Sequence, residues 1–99
     1  MLDPFDGISP TARARQLGER IRNLRLQRNM TQAALAASIG VSRPTMAALE
    51  KNGRGTIETL AATLYALGRE SEFDTLLQPD PPSTLMEAAR PTVRLRARP

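Results

Sequence analysis

Three features of this sequence predict an all-α fold, a bundle of five helices. Leu17, Ile21 and Leu24, and again Ile57, Leu60, Ala61, Leu64 and Leu67, recur at the three- and four-residue spacing of one helix face. Residues 31–53, TQAALAASIGVSRPTMAALEKNG, read as two short helices joined by a tight turn. Aromatic residues are confined to Phe5, Tyr65 and Phe73, so the core must be built from Leu, Ile, Ala and Met. That mixture suits packed helices better than a sheet sandwich. At 99 residues there is material for one small core plus arms.

Residues 1–10 contain Pro and Gly and read as a flexible lead-in. Thr11 is positioned to cap a long first helix whose buried stripe is Leu17, Ile21 and Leu24. Arg15, Arg22, Arg25 and Arg28 fall largely off that stripe. Asn29 and Met30 end the helix, and Thr31 caps a second one with apolar Ala34, Leu35, Ala37 and Ile39. Gly40 supplies the positive φ that stops this helix, and Val41 fills the angle to the next. Ser42 caps the third helix, where Pro44 is tolerated because first-turn N–H groups have no intrahelical partner. Met46 and Leu49 turn toward the core, while Arg43 and Thr45 turn away. The unit is a helix-turn-helix.

Asn52-Gly53-Arg54-Gly55 reads as a turn, after which Thr56 caps a fourth helix and Gly68 closes it. Glu70 and Ser71 precede a short fifth helix carrying Phe73, Leu76 and Leu77. QPDPPS, residues 78–83, breaks regular structure, so the helical domain spans 11–78 and a Pro/Arg-rich tail spans 79–99. Residues 85–90 leave room for one or two helical turns before Pro91. The end of the tail, TVRLRAR, alternates apolar and basic residues. It suits a disordered arginine tail, an arm in a DNA minor groove, or a segment pairing with a partner.

Composition excludes much chemistry. The chain has no Cys and no His, which removes disulfides, thiol nucleophiles, the imidazole base and the usual soft metal ligands. No clustered Asp/Glu loop offers a carboxylate site, so neither metal, cofactor nor catalysis is expected. There is no run of 18 apolar residues, and the start is acidic (Asp3, Asp6) rather than basic. A soluble, cytoplasmic protein with no membrane partner is the expectation. Charge is segregated: residues 13–54 carry nine basic and two acidic side chains, net +7. Residues 55–88 carry one against six, net −5. A molecule so divided orients on a polyanion before any specific contact forms.

At TQAALA…IG…M…LEKNG the chain resembles the XRE family, the helix-turn-helix proteins typified by the lambdoid phage repressors and Cro. Thr31, Gln32, Leu35, Ala36, Gly40, Met46, Leu49, Glu50 and Gly53 carry the resemblance, which covers Leu17 to about Leu77. It implies a five-helix, lambda-repressor-like DNA-binding domain. It also implies that Gln32 contacts a phosphate and braces the recognition helix, with base-reading positions at Ser42, Arg43, Pro44 and Thr45, and at Ala48 one turn on. Pro44 and Ala48 depart from the pattern, since neither side chain can hydrogen-bond to a base. For Arg43, bidentate contact with guanine is favoured over a phosphate contact. Thr45 has a thymine methyl, a phosphate and ordinary packing as alternatives. Lys51, Asn52 and Arg54 stand where the chain leaves the helix, placed for DNA-backbone contacts. Glu50, the acidic exception, is expected to pair with an arginine of the first helix, because a bare carboxylate beside phosphate is repelled.

Phe73, Leu76 and Leu77 read either as plain core or, with Leu64 or Leu67, as half of a homodimer seam, which a core supplying only a few kcal/mol favours. A second resemblance covers Gly55–Leu60, Leu64–Gly68, the Phe/Leu-rich turn and the Pro-rich, Arg-ended tail, which look like the HipB-like antitoxins. It implies a dimeric repressor of its own promoter that holds a HipA-like kinase toxin. The functional expectation is a sequence-specific transcriptional repressor of duplex DNA with two half-sites, and more narrowly such an antitoxin. A stand-alone phage-type repressor or restriction-modification controller is the nearest alternative. A protein–protein adaptor that binds no DNA is the alternative of another class.

Overall fold

The computed structural model describes residues 7–82, in which five α-helices follow one another without a strand. They are α1 (Pro10–Gln27), α2 (Gln32–Ser38), α3 (Arg43–Asn52), α4 (Ile57–Ala66) and α5 (Glu70–Asp74). The all-α fold expected from the sequence is present. Thr31, Ser42 and Thr56 each accept a hydrogen bond from the backbone N–H three residues on, at 3.0–3.1 Å. These satisfy donors that the first turn would otherwise leave orphaned. None of the described helices is long and apolar enough to cross a membrane.

The start of α1 differs from expectation. Ser9, not Thr11, is the N-cap, and its Oγ accepts from the Ala12 N–H at 3.0 Å. Pro10 follows as the first helical residue, where its fixed φ and missing donor cost nothing.

Ile21, Leu35, Ala36, Met46, Leu49 and Leu67 form the buried core, flanked by partly buried Leu24, Met30, Ile39, Val41, Leu60 and Ala66. The buried stripe of α1 is Gly18, Ile21 and Arg25, with Leu17 on the exposed side at 37%. It is therefore rotated from the expected stripe, and Arg25 lies inside it. The cause is a close crossing of backbones. A Cβ on Gly18 would stand 2.6 Å from the Glu50 carbonyl oxygen and nearer still to that of Leu49. Only glycine lets α1 and α3 meet there. Gly53, which ends α3 at φ 68°, sits as tightly against α1, since a Cβ there would be 2.8 Å from that of Ala14.

Two further contacts hold α4. The Arg28 Nε donates to the Leu67 carbonyl at 2.9 Å, placing a cation at the C-terminal end of that helix. Fully buried Thr63 returns its hydroxyl to the Thr59 carbonyl at 2.8 Å, so its polar atom is satisfied. Ile57, at the first turn of α4, is exposed rather than part of the apolar face.

Candidate nucleic-acid interface

The inner side of α3 is fixed by a buried polar cluster. Arg25 of α1 grips Glu50 with Nε to Oε2 at 2.7 Å and Nη2 to Oε1 at 3.0 Å. Its remaining Nη1 donates to the Met30 carbonyl at 2.8 Å, tying in the turn before α2. Gln32, at the start of α2, donates from Nε2 to Glu50 Oε1 at 3.0 Å. One carboxylate thus joins three helices, and the fork geometry of guanidinium on carboxylate sets the rotation of α3 about its axis. The expected pairing of Glu50 with an arginine of the first helix is found, and the partner is Arg25. Gln32 thereby ties the start of α2 to α3.

With Met46, Leu49 and Glu50 buried, the other side of α3 must face solvent. Ser42, Arg43, Pro44, Thr45, Lys51, Asn52 and Arg54 are exposed, and Ala47 and Ala48 are half-buried. The cap is doubly made. Ser42 Oγ accepts from the Thr45 N–H at 3.1 Å and lies 2.8 Å from Thr45 Oγ1.

Two adjoining shallow hollows run along the α2 side of this helix. One is lined by Gln32, Arg43, Pro44 and Ala47, the other by Arg22, Gln32, Ala47, Glu50 and Lys51. Arg22 is the site residue that sequence reasoning missed. It sits three residues before Arg25 on α1, and since Arg25 is locked to α3, Arg22 is brought beside Lys51. Arg22, Arg43 and Lys51 together give the hollows a cationic rim.

The residues expected at a dimer seam differ widely in exposure. Leu67 is only 1% exposed and belongs to the monomer's own core, so it is not available for a seam. Leu64 and Phe73 are half-buried, while Leu76 and Leu77 are exposed, Leu77 at 97%. Leu67 is the C-cap of α4, its side chain packs in the core, and Arg28 donates to its carbonyl. The reading of TVRLRAR falls on residues outside those described, as does that of residues 85–90.

No curated protein matches the chain. A family model described as a helix-turn-helix domain matches residues 16–72, from the body of α1 into α5. That span holds the Arg25–Glu50–Gln32 cluster and the whole outer face of α3. The chain therefore belongs to the family of helix-turn-helix domains of the XRE-like type.

Proposed function

We propose that this protein is a sequence-specific DNA-binding regulator of transcription that acts by occupying DNA rather than by catalysis, chiefly as a repressor. The observation that carries the reading is the two-sidedness of α3. Its inner side is locked by Arg25, Glu50 and Gln32, and its outer side offers Arg43 to solvent beside a cationic hollow. In this reading the first turn of α3 enters the major groove, and Arg22, Gln32, Lys51, Asn52 and Arg54 hold the flanking phosphates.

Binding as a two-fold dimer would place two such helices on half-sites about 34–36 Å apart. The exposed Leu76 and Leu77, which follow half-buried Phe73 at the end of α5, support a self-complementary apolar seam. A toxin-holding antitoxin is a narrower form of the same proposal. Its support is the resemblance of residues 55–68, and co-purification with a kinase-like partner tests it.

Footprinting of the full chain on the DNA upstream of its own coding sequence tests the main reading. Protection of two half-sites one helical turn apart, weakening steeply with salt, is expected. Absence of salt-dependent binding to any duplex overturns it and favours the protein–protein adaptor.

A further inference from the structure

The DNA-binding reading can be taken one step further, to the class of base pair this helix discriminates, and the step rests on that reading. In the major groove, base pairs are told apart by hydrogen-bonding side chains or by apolar contact with the thymine 5-methyl group. Over residues 42–48 of this chain the hydrogen-bonding option is nearly exhausted before DNA arrives. The hydroxyls of Ser42 and Thr45 lie 2.8 Å apart, and Ser42 Oγ also takes the Thr45 N–H, so Ser42 is held as the cap and the pair keeps one O–H donor between them. Met46 is fully buried. Pro44, Ala47 and Ala48 have no polar side-chain atom. Arg43 alone is exposed with its guanidinium unpartnered among the described residues.

What remains is a surface of methyl and methylene groups around one fork of donors. Pro44 and Thr45 are exposed, and Ala47 lines the hollow beside Arg43 and Pro44. The short alanine side chains let the helix backbone approach the base edges closely, which a methyl contact requires. We infer that each half-site offers one guanine to Arg43 and, next to it, thymine 5-methyl groups that pack against Pro44, Thr45, Ala47 and Ala48. Specificity beside the guanine is then a preference for thymine over cytosine that depends on the methyl group, not on hydrogen bonds.

The test alters the DNA and leaves the protein intact, so folding is not at issue. The full chain selects duplexes from a random pool. The selected site is then synthesised with uracil for thymine, which removes the 5-methyl and nothing else. Each uracil beside the guanine is expected to lower affinity about three- to fourfold, the worth of one buried methyl-sized group. Uracil outside the half-sites leaves affinity unchanged. 7-Deazaguanine at the guanine weakens the wild-type protein and leaves Arg43→Ala indifferent. Selected half-sites without thymine, or affinity unmoved by uracil within them, overturn the inference while the DNA-binding reading stands. Recovery of no duplex above the unselected pool removes both.

Discussion

The backbone of Gly18 lies directly against the carbonyl oxygen of Leu49, with no room between them for a Cβ. This is the point where α1 and α3 touch, and it fixes how far α3 stands from the scaffold. A Gly18→Ala substitution must push two backbones apart, because neither carbonyl can rotate away from the helix it belongs to. The expected cost is about 3 kcal/mol, at the upper end of overpacking, despite the better helix propensity of alanine. For a domain of this size that is most of its stability. Thermal unfolding followed by circular dichroism checks it, with exposed Arg20→Ala on the same helix as a near-silent control. A melting temperature unchanged in Gly18→Ala would show that the crossing is looser than the geometry states.

Arg25 and Glu50 are 7% and 2% exposed at the side chain, so water cannot replace either partner. Removing one leaves a buried charge uncompensated, and Glu50→Leu or Arg25→Met should each cost about 3–5 kcal/mol. Replacing both together, as Arg25→Met with Glu50→Leu, should cost clearly less than the two singles summed. The double replacement removes the charges and keeps the volume. Urea denaturation across the four proteins of the cycle gives the coupling. Additive losses would mean that the pair contributes packing and not charge complementarity.

Local rules and tertiary contacts were unequally legible in the sequence. Caps at Thr31, Ser42 and Thr56 could be read because a cap is made within four residues. Ser9 was passed over for Thr11, although Pro10 between them marks the first helical position and points to the residue before it. The rotated stripe of α1 could not be read from period alone. Leu17 looks like a core residue and Gly18 like a defect until another backbone is placed against them. Arg25 was assigned to the surface by its charge, yet the same reasoning required an arginine for Glu50. Choosing among the six arginines from Arg13 to Arg28 needed the third dimension. Arg22 escaped for the same reason, since its neighbour Lys51 is distant in sequence.

The cap of α3 links stability to the site. Ser42→Ala removes the acceptor for the Thr45 N–H and frees the Thr45 hydroxyl, and should lower stability by about 1 kcal/mol. Thr45→Val keeps the backbone cap bond and one methyl, so its loss should be smaller. Chemical denaturation ranks them, and an equal loss for both would place the stabilisation in the hydroxyl–hydroxyl contact instead of the cap.

Arg43 has no partner among the described residues, so Arg43→Ala should leave stability within about 0.5 kcal/mol. On the selected site it should weaken binding by about 1–3 kcal/mol, and on a scrambled duplex by much less. The ratio of the two affinities is the measurement. A uniform loss would move Arg43 from the base edge to a phosphate.

Arg22 and Lys51 should behave in the opposite way. Both line the hollow beside Gln32, away from the first turn of α3, and in the proposed docking they reach the DNA backbone and not a base. A phosphate contact carries no sequence information, so Arg22→Ala and Lys51→Ala should weaken selected and scrambled duplexes alike. Each lost contact also leaves one fewer counterion to be released. The slope of log affinity against log salt should therefore become shallower by about one unit per substitution. Because the two cations share one hollow, the double variant tests whether they hold one phosphate or two. A fall of about two units assigns them separate phosphates. A fall of one means that they clamp the same group, and then either single substitution should leave the slope nearly unchanged, because the remaining cation still neutralises that phosphate.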